Sequence, residues 1–190
     1  MNYTIRYFSV IFTLLLVIAC SSQRIAINSS KTGTYDKQPE KIFINAQAVK
    51  PNTAFLEALA IDLSSSLRNR DIHSEVYVYE FNSTKADPER VMNQIRNYRP
   101  DLILEIKMSL QNQIRNSDGE GLTSYTVKTL LPMNLFLIDT ETGNTIWQAK
   151  MEVSQNGRFR IEDDKESVHQ SSNKIIEALL IDKILKSPFY

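Results

Sequence analysis

The chain opens with an apolar run, residues 8–19, broken only by Ser9 and Thr13 and preceded by a polar lead containing Arg6. A bilayer core asks for about 20 consecutive apolar residues, so this run is too short to span and has the layout of an export signal. Residues 20–40 are polar apart from Ile25, Ala26 and Ile27, and they read as a flexible tether with a reach of roughly 25 Å. Regular patterning begins at Lys41. Ile42, Phe43 and Ile44 form a short apolar strand, and Pro51-Asn52-Thr53 marks a helix start. Phe55, Leu56, Leu59, Ala60, Leu63 and Leu67 then recur at helical spacing, which places one apolar stripe toward a core.

Residues 75–81 alternate as a strand, with Val76 and Val78 on one face and Tyr77 and Tyr79 on the other. Asp87-Pro88 opens a second helix that directs Val91, Met92, Ile95 and Tyr98 inward and ends before Pro100. Three strands of strict period two follow, over residues 101–111, 122–138 and 145–154. Their apolar faces carry Leu102, Leu104, Ile106, Met108 and Leu110 in the first. The second has Tyr125, Val127, Leu131, Met133, Leu135 and Leu137, and the third Trp147, Ala149, Met151 and Val153. Gly143 suits a tight turn in the 139–144 loop, and Pro132 predicts a bulge or a missing donor inside the middle strand. A last helix, from Asp163 to about Lys186, is opened by an Asp163/Glu166 capping pair and turns Val168, Ile175, Ile176, Leu179, Leu180 and Ile184 inward.

These elements give an α+β (mixed α/β) class, in the order β-α-β-α-β-β-β-α. Right-handed crossovers and two hairpins predict a five-stranded mixed sheet of order 2-1-3-4-5 packed with helices. The domain organisation is a signal peptide over 1–19, an anchor and tether over 20–40, and a single α/β domain over 41–190.

Composition narrows the class of function. The 22 basic residues less Arg6 leave 21 in a chain starting at Cys20, against 22 acidic ones, so a broad nucleic-acid surface is not expected. The sole cysteine, Cys20, closes the apolar run, which excludes an internal disulfide. Val17-Ile18-Ala19-Cys20 resembles the lipobox of bacterial lipoproteins. The resemblance implies cleavage before Cys20 and acylation of its sulfur and new amino group, with two or three chains sufficing for a stable anchor. Ser21 after the cysteine implies, by the same resemblance, outer-membrane delivery with the domain facing the periplasm.

The domain itself resembles envelope lipoproteins related to CsgG-like and TolB amino-terminal domains and to the auxiliary lipoproteins of ABC-type transporters. The likeness spans residues 41–185, and its distinctive motif is Asp139, Thr142, Gly143 and Trp147. It implies a binding or assembly role and brings no catalytic residues.

Candidate chemistry is thin. Asp139, Glu141 and Asn144 resemble the start of a calcium loop, but the glycine falls one place early and Lys150 stands where a glutamate ligand belongs. The acids Glu162, Asp163, Asp164 and Glu166 suit a helix start more than an ion site. His73 and His169 are distant in sequence and lack a nucleophile motif, and no metal or cofactor is expected. The surviving candidates are two loops, residues 112–124 and 155–166, with Arg158, Phe159 and Arg160 as the expected partner contact. The expected function is a non-enzymatic module binding a protein or lipid partner in the envelope. Two alternatives are an auxiliary lipoprotein of an ABC-type transporter, which predicts a lipid-sized groove between helix and sheet, and a small envelope hydrolase.

Overall fold

A computed structural model describes residues 24–50, 52–81, 88–110, 112–117, 125–156 and 165–186. Its strands are β1 (Arg24–Lys31), β2 (Lys41–Ala48), β3 (His73–Glu80), β4 (Leu102–Met108), β5 (Asn112–Ser117), β6 (Tyr125–Asp139) and β7 (Thr145–Asn156). The helices are α1 (Thr53–Arg68), α2 (Pro88–Tyr98) and α3 (Lys165–Ile181). One mixed sheet runs β1-β7-β6-β4-β2-β3, and β5 pairs with β6 off that path. The pairs of β2 with β3 and β4 are parallel, and the remainder are antiparallel.

Two strands correct the expected five-stranded sheet of order 2-1-3-4-5 in count and hence in numbered order. Arg24–Lys31 lies in the stretch expected to be a tether, but it pairs along its whole length with β7, so the sheet takes in residues well before Lys41, at least from Arg24. The return to β2 is also fixed. Thr32 and Gly33 donate their backbone N–H groups to the Ile146 carbonyl at 2.8 and 3.1 Å. A Cβ on Gly33 would stand 3.3 Å from the Ile146 Cα, so the close approach favours glycine. Glu40 and Lys41 donate their N–H groups to Asp101 Oδ2 at 2.7 and 2.9 Å.

The second addition, β5, comes from the stretch expected to be a loop, and Pro132 explains its separation from β4. Ser109 donates to the Pro132 carbonyl at 3.0 Å, so that edge of Pro132 faces β4. A residue in a strand turns its N–H and C=O to the same side, and proline has no N–H to offer there. Pairing of β6 with β4 accordingly ends at Met108↔Met133, and pairing with β5 starts at Asn112↔Leu130. The β6–β7 register runs through Pro132 without a shift; the irregularity lies at Leu137/Ile138 instead.

The core lies between one sheet face and the pair α1 and α3. The stripe Phe55, Leu56, Leu59, Ala60, Leu63 and Leu67 is buried against Ile42, Ile44, Ala46, Leu104 and Ile106, and α3 adds Val168, Ile175, Ile176 and Leu179. Ile25 and Ile27 of β1 pack on the margin of this core. The expected inward set of α2 needs correction, because no residue of that helix is buried and Met92 is exposed. α2 lies on the opposite sheet face, where the Tyr98 ring packs tilted against Phe43 with ring centroids 6.3 Å apart. Leu110 also departs from expectation, since β4 stops at Met108 and leaves it exposed. Among the described residues, no helix is long and apolar enough to cross a membrane.

Candidate binding surfaces

Because α1 and α3 cover one face and α2 only a corner of the other, much of the second face is open. Across β1, β7 and β6 it presents Asn28, Ser30, Gln148, Lys150, Asn134 and Phe136 around a depression of about 400 Å³. The row continues into β4, where the Lys107 ammonium sits 5.4 Å from the Phe136 ring centroid and 2.7 Å from a Glu105 carboxylate oxygen. A cation over an aromatic face beside amide and hydroxyl groups suits recognition of a polar partner surface. The outer edges of β1 and β3, which end the strand path, are further ladder positions a partner could pair with.

Under α2, Val91, Met92, Ile95, Ile103 and Tyr79 line a cavity of about 270 Å³. Asn45 Oδ1 is buried there without a hydrogen-bond partner. The Tyr79 hydroxyl donates to Gln47 Oε1 at 3.2 Å, and burial, helped by the nearby Glu105 charge, raises its pKa. This volume falls just short of the roughly 300–1,000 Å³ of ordinary ligand sites, so it has room for a chain segment and not for a whole lipid.

At the end of the sheet opposite Arg24, the structure packs the return segment 32–40 against the β6–β7 turn and the end of α3. Lys31, Tyr35, Lys37, Lys183 and Lys186 border a cavity of about 560 Å³ with Leu180 and Ile184 on its wall. Burial, followed by the charges of Asp101, Asp139 and Glu141, pushes the Tyr35 phenol up to about 12. Lys37 forms an exposed ion pair with Glu141 at 2.9 Å, and that hydrogen bond raises its pKa.

The candidate calcium loop is a structured turn. Asp139 accepts from Glu141 N–H through Oδ1 at 3.0 Å and from the Thr142 hydroxyl through Oδ2 at 2.8 Å, while Gly143 takes φ 70°. The Asp139 carboxylate is therefore engaged by its own loop. His169 Nδ1 lies 3.3 Å from Asp62 Oδ2 at the surface between α3 and α1. His73 borders a separate open depression with Lys41, Arg68, Ser74 and Tyr98. Among the described residues, no group of three or more His, Cys, Asp or Glu side chains is placed to hold a metal ion. Trp147 is fully buried and donates its indole N–H to Asp182.

Cys20, Arg158, Phe159 and Arg160 all lie outside the described residues, as do Glu162, Asp163 and Asp164. Sequence reasoning missed the open face altogether. Its signal was the polar half of each alternating strand, in Asn134, Gln148 and Lys150.

No protein-family model and no curated protein sequence matches the chain. Among solved structures, the chain is similar to PelC of Paraburkholderia phytofirmans, solved as a dodecamer, at TM-score 0.51 and 14% identity over 82% of this chain and 98% of that one. The neighbours include bacterial lipoproteins. GNA1162 of Neisseria meningitidis has TM-score 0.42 and 10% identity over 73% of this chain and 97% of that one. A minor lipoprotein of Acinetobacter baumannii has TM-score 0.36 and 10% identity over 76% and 97%. The PelC likeness is one of fold.

Proposed function

We propose that this chain is a lipid-anchored lipoprotein of the bacterial envelope, held by acylated Cys20, that acts as a non-enzymatic binding or assembly module. The observation that carries the module is the uncovered sheet face, where Phe136, Lys107, Gln148 and Lys150 stand in adjoining strands of one ladder. A protein partner fits this face, since its mixed aromatic, amide and charged groups resemble an interface more than a small-molecule pocket. PelC, which shares the fold, is solved as a dodecamer, and this supports an assembly role. The narrower likeness to CsgG-like and TolB amino-terminal domains belongs to this reading and rests on Asp139, Thr142, Gly143 and Trp147. Delivery to the outer membrane with the domain facing the periplasm is part of it too, resting on Ser21.

A photo-crosslinking amino acid at Gln148 tests the reading in the anchored full chain, with Glu177 on the exposed side of α3 as reference. The reading predicts a discrete adduct from Gln148 and none from Glu177. No adduct from Gln148, or equal adducts from both, contradicts it.

A further inference from the structure

We propose that the β5–β6 hairpin is a membrane-contacting arm that reaches the headgroup layer of the same bilayer that holds the acyl chains of Cys20. The inference rests on the lipoprotein reading and adds an orientation to it. Only Ser21, Ser22 and Gln23 separate Cys20 from the first residue of β1. At full extension the chain spans at most about 3.3–3.6 Å per residue, so the Arg24 end of the sheet lies within about 14 Å of the anchored cysteine.

The sheet register then fixes what else lies at that end. Arg24 pairs with Ser154 of β7, Ser154 with Leu130 of β6, and Leu130 with Asn112 of β5. From this common level, β1 continued backward toward Cys20 runs in the same direction as β5 continued forward. The pair Ile114↔Lys128 stands two residues past the level of Arg24, and the pair Ser117↔Tyr125 five residues past it. At about 3.3 Å per residue the hairpin projects roughly 17 Å past Arg24, which matches or exceeds the longest reach of the linker. The lateral offset is about 14 Å, since β1 and β5 are separated by β7 and β6 and neighbouring strands lie about 4.8 Å apart, so both strands meet the same patch of bilayer. A bent linker only brings the domain closer.

The side chains agree with this placement. Ile114 on the arm is 42% exposed and Leu110, just before it, 61%, while Phe81 is exposed at the matching end of β3. These three exposed apolar residues lie at the anchored end, where they suit the boundary between headgroups and acyl chains.

The experiment uses the full-length acylated protein reconstituted in vesicles of phosphatidylethanolamine and phosphatidylglycerol whose acyl chains carry bromine near the headgroup. Buried Trp147 supplies a constant background. The Ile114→Trp variant is expected to show blue-shifted emission that the brominated lipid quenches. Asn112→Trp, closer to the domain, should be quenched less, and Glu141→Trp at the far end not at all. An acylated, vesicle-floating protein whose Ile114→Trp emission is unquenched, or quenched no more than that of Glu141→Trp, overturns the arm while leaving the lipoprotein reading intact. A protein with unmodified Cys20 that fails to float overturns the lipoprotein reading and, with it, the premise of the arm.

Discussion

The indole nitrogen of Trp147 donates to Asp182 Oδ2 at 2.7 Å, and the Ser29 hydroxyl donates to the same oxygen at 2.6 Å. One carboxylate thus joins β7, β1 and the turn that ends α3. Asp182→Ala leaves the fully buried indole N–H without an acceptor, which should cost about 1–3 kcal/mol. Trp147→Ala should cost about 3–5 kcal/mol through the cavity it leaves. Because the two residues touch, the double variant should lose less than the sum. Chemical denaturation of the four forms measures this, and an Asp182→Ala protein as stable as the parent would contradict the tie.

The place of β1 gives a second expectation. Its eight residues pair with β7, and Ile25 and Ile27 pack against the core, so a chain beginning at Lys41 exposes both that margin and the β7 ladder. Half-burial of two isoleucines alone corresponds to about 2 kcal/mol, before the ladder bonds are counted. Removal of residues 24–40 should therefore lower the melting temperature or prevent folding, compared with a chain starting at Arg24. Equal melts would restore the tether reading.

These two strands also show where the hydrophobic pattern becomes silent. The stripe of α1 and the alternation of β4, β6 and β7 were legible because each buries a full row of large apolar side chains under α1 and α3. β1 is an edge strand on the margin of that cover, so two isoleucines suffice for it, and Asn28, Ser29 and Ser30 give it the composition of a linker. In β5, Asn112 and Ile114 are exposed, so the ladder to β6 and not burial holds these two positions. The same logic hid the open face. A polar residue on an uncovered strand and a polar residue in a loop read alike until the register places them in one row.

Tyr35 makes alkaline stability informative. Its phenol titrates near 10.0 in an unfolded chain and at about 12 in the folded one. The folded state holds this proton more tightly, so the contribution is full below pH 10 and is lost as pH rises through about 12. Tyr35→Phe should thus lose stability less steeply than the parent between pH 10 and 12, with the two slopes agreeing at neutral pH. Parallel urea melts across that range measure the slopes, and identical alkaline slopes would contradict the shift.

Orientation in the envelope is open to direct test. On the proposed anchor at Cys20, followed by Ser21, the domain should face the periplasm from the outer membrane. Protease added to intact cells should then leave it whole, and the same protease should digest it once the outer membrane is opened. Ready digestion in intact cells would contradict the periplasm-facing placement.

The central claim, a lipid anchor at Cys20 placed just before β1, is tested most directly by the mass of the mature amino-terminal peptide. The account predicts a chain beginning at Cys20, carrying a diacylglyceryl group on sulfur and acylated at its new amino group, and a Cys20→Ala chain that lacks both the cleavage and the lipid. A mature protein that retains residues 1–19, or that begins elsewhere with an unmodified Cys20 or without it, would contradict the account.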